Sequence, residues 1–193
     1  MTVHDFGQAR LAEMYNSPLT GRAKNDTPIN FIPHSMGGIA VKKALIPAKQ
    51  DPSHHRIATR IHRIFFLATA HRGTDSVWLL HNFQQMSGVD GSKAYVDNIR
   101  PNSEVISIIN DQFRHIHANF QLLSFFETTK TLSLGLIVEK DSAILNLPGG
   151  RIQLLNADHI HVWEFNDPSD SNYCTLRNAY GSVISTIENT WCR

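Results

Sequence analysis

Short unbroken apolar runs alternate along this chain with longer segments of helical periodicity, and this alternation restricts the fold more than any other feature. A strand with no polar face must be covered on both sides, and helices between successive strands supply the cover. The pattern therefore predicts an α/β fold, a mostly parallel sheet with helices on both faces. "PINFIP" (28–33), "RIFFLAT" (63–69) and "FQLLSFF" (120–126) read as buried strands, with shorter ones at "LIV" (136–138) and "RIQLL" (151–155).

The helical segments follow from apolar residues recurring every three to four positions. "GGIAVKKAL" turns Met36, Ala40, Val41, Ala44 and Leu45 inward and Lys42 and Lys43 outward, and Pro47 is expected to end or kink the helix. Residues 75–87 read as helical. "NSEVISIINDQFRHI" places Val105, Ile109, Phe113 and Ile116 on one face, with Asn102 or Ser103 as N-cap. A terminal helix carries Leu176, Tyr180, Val183, Ile184 and Ile187.

At 193 residues the chain has the length of a single domain. A net charge of +1, with no polybasic or acidic block, argues against nucleic acid as a partner. Cys174 and Cys192 are too few for a disulfide framework and flank the terminal helix, which points to a reducing, intracellular and cytoplasmic setting. No apolar run reaches the roughly 20 residues that span a bilayer, and residues 1–28 contain nothing like a signal peptide, so no integral membrane segment is expected. The sequon Asn25-Asp26-Thr27 then has no glycosylating context.

"HSMGG" stands between the first strand and its helix. A nucleophilic serine needs such a sharp strand-to-helix turn, because there its hydroxyl stands above the sheet while backbone N–H groups at the helix start face the reacting carbonyl. Ser35 meets that requirement, Gly37 fills the second glycine of G-x-S-x-G, and the Met36 N–H supplies one oxyanion donor. A serine at this position also serves as a helix cap.

"FIPHSMGGIAVKKAL", "FFLATAHRGTDS", "SFFETTKT", "IVEKDSAIL" and "LNADHIHVWEF" together resemble, in order and spacing, the landmarks of a family of α/β-hydrolase serine esterases. This is the lipase-like domain found in fungi at the head of NACHT-type and ankyrin-repeat signalling proteins. The resemblance covers roughly Asp5 to Tyr173. It implies an acyl hydrolase acting on a small-molecule or lipid ester, without cofactor or metal, and compatible with peripheral membrane contact.

The resemblance also assigns residues. A serine hydrolase of this fold takes its base and orienting acid in the chain order Ser, Asp/Glu, His. His159 occupies the position of the family's histidine, with His161 as alternative base. Glu127, Glu139, Asp141 and Asp158 all lie between serine and histidine; "FFE" ends a strand, which favours Glu127, with Asp141 second and otherwise a cap at Ser142. "ATAHRGTD" resembles the family's T-P-H-x-G loop, which brings His71 to the pocket, although Ala70 stands where proline is usual. The pairs His54-His55, His115-x-His117 and His159-x-His161 lack a third ligand at metal-binding spacing, and no metal site is expected.

Two departures concern activity rather than fold. Pro33 replaces the first glycine of G-x-S-x-G, and a displaced serine of even 1 Å can cost about a hundredfold in rate. The strands and H-G-x-x-G-like loop that the family places before the elbow are also missing, so residues 1–193 read as one hydrolase-like domain lacking its usual first strands. That loop gives a second oxyanion donor, worth about 3 to 4 kcal/mol. The alternative to a working esterase is therefore an impaired pseudo-hydrolase serving as an interaction or signalling module. An uncovered sheet edge would favour a homo-oligomer or a partner there.

Overall fold

The computed structural model describes residues 3–17, 28–76, 79 and 98–191. Four strands, β1 (Ile29–Phe31), β2 (Ile61–Leu67), β3 (Gln121–Glu127) and β4 (Arg151–Leu155), form one sheet in the order β1-β2-β3-β4, and every neighbouring pair is parallel. The apolar run of β2 divides between the two faces, as the side-chain period of two requires. Ile64 and Phe66 join Leu122 in a core beneath the helices α2 (Gly37–Gln50) and α4 (Glu104–Ile116). Phe65 and Leu67 join Leu123, Phe125 and Leu155 in a second core, against which Leu176 and Ala179 of α6 (Ser171–Trp191) pack. The expected sheet with helices on both faces is thus present.

Helix α1 (Val3–Asn16) lies against α2, with Leu11 buried among Ala44, Ala48 and Ala58. A short helix α3 (His55–Ala58) leads into β2. Helix α4 starts where Ser103 accepts the Ile106 N–H on its side-chain oxygen, so Ser103 rather than Asn102 is the cap. Its buried seam is Ile106, Ile109 and Phe113, with Val105 and Ile116 at the margins.

Three expectations are corrected. Helix α2 does not end at Pro47 but runs through it to Gln50, and Asp51 N–H still reaches the Pro47 carbonyl. Lys42 points inward and has no exposed surface, because its Nζ finds a partner in Asn110 Oδ1 at 2.7 Å and lies 5.7 Å from the ring centres of Phe66 and Phe113. Burial holds its pKa well below the ordinary lysine value. "LIV" (136–138) is an irregular segment rather than a strand, since the Ile137 and Val138 amides bond to a side chain in place of a ladder. The crossover from β3 to β4 carries a 3-10 turn at Leu132–Leu134 and a one-turn helix, α5 (Lys140–Ala143).

The sequon, most of the helix expected over 75–87, and Cys192 lie outside the described residues, as do the side chains of Val183, Ile184 and Ile187. Among the described residues, no helix is long and apolar enough to cross a membrane.

Candidate active site

The chain leaves β1 at Phe31 and reaches α2 at Gly37, and Ser35 occupies the turn between them with φ of +53°. A positive φ is uncommon for a residue with a side chain and marks a backbone held by its surroundings. Those surroundings are the adjacent strand: Leu67 N–H donates to the Pro33 carbonyl at 2.9 Å, and Ser35 N–H donates to the Leu67 carbonyl at 2.8 Å. Proline therefore contributes the acceptor of this pair, and the donor comes from two residues later. Its effect is to shorten β1, with an isolated bridge between His34 and Leu67 resuming the pairing.

Close approach of α2 to the end of β2 depends on Gly38. A Cβ there would overlap both Oγ1 and Cγ2 of Thr69 and come within 2.9 Å of the Phe66 ring, whereas one at Gly37 would meet Pro33 Cβ at an ordinary 3.8 Å. The crowded glycine of "HSMGG" is thus the second of the pair. Met36 follows Ser35 in helical conformation at the N-cap position of α2, so its amide belongs to the electropositive end of that helix.

His159, on the loop after β4, is 1% exposed and sits over the turn. Its Nε2 lies 3.0 Å from Ser35 Oγ and its Nδ1 lies 2.8 Å from Glu127 Oε2. A carboxylate only accepts, so Nδ1 carries the proton and Nε2 is left to accept from the serine hydroxyl. Glu127 ends β3 with its side chain fully buried. Its other oxygen, Oε1, accepts the backbone N–H groups of Ile137 at 2.6 Å and Val138 at 2.8 Å. One buried carboxylate thus takes three donors, which offsets the cost of removing its charge from water.

The other candidates fall elsewhere. Asp141 is exposed in the first turn of α5, with Glu139 at that helix's N-cap, so Asp141 does not cap Ser142. His161 is turned to solvent and pairs with Asp158 at 2.7 Å. His71 is 1% exposed, edge-on to Phe66, and neither ring nitrogen has a hydrogen-bond partner among the described residues. Burial, and secondarily the charge of Lys42, keeps it neutral. Its backbone carries the contacts: the His71 carbonyl accepts from Asn110 Nδ2 at 2.7 Å, and its N–H donates to the Ser142 carbonyl at 2.8 Å. No group of three His, Cys, Asp or Glu side chains among the described residues could hold a metal ion.

One site residue has no motif to announce it. His34, the variable position before the serine, donates from Nε2 to the His159 carbonyl at 2.9 Å, and the two rings stand 4.9 Å apart. Burial and the neighbouring His159 lower its pKa to about 4. On the opposite side, the Thr131 hydroxyl accepts the His159 N–H at 3.3 Å. The histidine's main chain is therefore held at both its N–H and its carbonyl.

No protein-family model matches the chain. Protein SERAC1 of Bos taurus is 29% identical over 143 residues, covering 71% of this chain and 21% of its own length. The Danio rerio protein of the same name is 28% identical over 144 residues, covering 71% and 21%. The chain thus spans about a fifth of the length of these curated relatives. Among solved structures, phospholipase PlaB from Legionella pneumophila superposes with a TM-score of 0.65 over 98% of this chain and 52% of that one, at 13% identity. The fold is that of an α/β-hydrolase. Within that fold Ser35 stands at the strand-to-helix elbow, Glu127 at a strand end and His159 on the loop after the following strand.

Proposed function

We propose that this chain is a serine ester hydrolase in which Ser35 is the nucleophile, His159 the general base and Glu127 the orienting acid. The observation that carries the reading is the pair of contacts at His159, 3.0 Å to Ser35 Oγ and 2.8 Å to Glu127 Oε2, made by a serine in a left-handed turn. Ser35 Oγ attacks the ester carbonyl as its proton passes to His159 Nε2, and Glu127 stabilises the imidazolium. The Met36 N–H donates to the developing oxyanion. The imidazolium then protonates the departing alcohol, and water activated by the same Nε2 releases the acid from Ser35.

The substrate class is a small-molecule or lipid ester. Support for a lipid comes from the likeness of fold to PlaB, a phospholipase, and from the resemblance to lipase-like domains of multidomain signalling proteins. The chain acts as a single hydrolase-like domain.

A fluorophosphonate probe tests the reading. Covalent labelling of the folded protein, lost in Ser35→Ala, is the expected result, together with hydrolysis of a p-nitrophenyl ester. Folded protein that neither labels nor hydrolyses would overturn it in favour of an interaction module built on the same fold.

A further inference from the structure

We infer that Thr74 is a positioning residue for Glu127, acting through the single peptide unit that joins Ile137 to Val138. The inference rests on the hydrolase reading only for its kinetic arm. The Val138 N–H of that peptide donates to Glu127 Oε1 at 2.8 Å. The carbonyl of the same peptide belongs to Ile137 and accepts from the Thr74 hydroxyl at 3.1 Å. N–H and C=O point in opposite directions across a trans peptide, and no cis bond occurs among the described residues. Thr74 and Glu127 therefore grip opposite ends of one plane.

The grip matters because residues 135–139 belong to no ladder or helix. An amide in a strand is aimed by its neighbours; these two must be aimed by whatever holds the loop. Thr74 is buried, and its own N–H is fixed to the Ile99 carbonyl at 3.0 Å, so the hydroxyl is anchored to the body of the domain. Donation into the Ile137 carbonyl also polarises the peptide and strengthens its N–H as a donor. A second tie runs beside it: the Ser142 hydroxyl donates to the Gly73 carbonyl at 2.8 Å and accepts the Arg72 N–H at 3.3 Å. Gly73 is required there by a φ of +85° and by the Arg100 carbonyl against its Cα, where no Cβ fits. The loop that the sequence marks by its histidine thus works through its threonine.

The test compares Thr74→Val, which keeps the shape and removes the hydroxyl, with Thr74→Ser, which restores it. Because the hydroxyl also accepts the Ser76 N–H at 3.1 Å, Ser142→Ala serves as a variant that leaves that bond intact. Two readouts are taken on each. The first is the His159 Nδ1–H proton resonance by NMR, assigned by its loss in His159→Gln; it reports the bond to Glu127 without any turnover. Thr74→Val and Ser142→Ala move it upfield, and Thr74→Ser leaves it at the wild-type position. The second is ester hydrolysis, where Thr74→Val lowers kcat about tenfold with KM unchanged, less than the roughly hundredfold of a full ångström's displacement, and Thr74→Ser recovers kcat to within about twofold.

An unmoved resonance in folded Thr74→Val, or a Thr74→Ser variant as impaired as Thr74→Val, overturns the inference. A resonance that moves as expected in a protein whose wild type does not hydrolyse esters upholds the positioning role and overturns the hydrolase reading alone.

Discussion

His34 Nε2 donates to the carbonyl of His159 at 2.9 Å, so the residue immediately before Ser35 holds the main chain of the proposed base. Only a ring nitrogen bearing a proton can make this bond, which fixes the neutral His34 as its Nε2–H tautomer. His34→Gln, whose amide can still donate, is expected to retain most of the activity, and His34→Ala to lose about tenfold in kcat, within the range of misplacement effects. Steady-state kinetics on a soluble ester decides between them.

The same residue makes stability depend on pH. Its pKa is lowered from 6.5 to about 4, so between these values the unfolded chain binds more protons than the folded one and stability falls as pH falls. The loss is on the order of 3 kcal/mol, complete below the folded-state pKa. Urea unfolding at pH 7 and pH 4.5 should show a smaller loss in His34→Gln than in wild type, the buried His71 contributing in the same direction to both.

Glu127→Gln keeps the volume but replaces an acceptor-only carboxylate with an amide that must also donate. Ile137 N–H, Val138 N–H and His159 Nδ1–H already converge on this group, so no oxygen-only partner remains for one of them. Loss of kcat of about 10³- to 10⁴-fold is expected by analogy with acid-to-amide changes in serine hydrolases. Fluorophosphonate labelling rates and a thermal melt on the same preparation separate lost orientation from lost fold.

Lys42 offers a second pH-dependent prediction of known sign. Its folded pKa lies well below the ordinary lysine value, so between the two the unfolded chain holds more protons than the folded one and stability rises with pH up to about 10. Lys42→Met removes the titration while leaving an apolar chain against Phe66 and Phe113. Denaturant midpoints at pH 7 and pH 9 should rise in wild type and stay level in the variant.

The two glycines after the elbow should part company on substitution. Gly38→Ala drives a methyl into Thr69 and is expected to destabilise by about 1–3 kcal/mol, the usual range for overpacking. Gly37→Ala meets only Pro33 Cβ at 3.8 Å and gains helix propensity, so its unfolding midpoint should match or exceed wild type.

The four strands were legible as apolar runs, Ser35 as a serine among small residues and Glu127 as a carboxylate at a strand end, whereas His159 stood out from the other histidines only through the resemblance to a known family. Lys42 was not, because a lysine at a helix position reads as solvated unless its partner is known, and Asn110 lies 68 positions away. The supposed strand at 136–138 failed for a related reason. Apolar side chains there do pack inward, with Ile137 and Val138 both buried, but the sequence carries no sign of where backbone amides donate. His34 sits at a position any residue can fill, and that Pro33 supplies a backbone acceptor to Leu67 N–H is visible only in the ladder.

The strictly consecutive order of β1 to β4 has a bearing on how the protein is made. Each strand adds beside the one synthesised before it, so the sheet can grow at one edge as the chain emerges. The serine turn is paired to β2 through Ser35 N–H and the Pro33 carbonyl, whereas the histidine that also bonds it lies 124 residues later, after β4. On the hydrolase reading proposed above, a nascent chain would carry the serine without its base until the segment after β4 is in place.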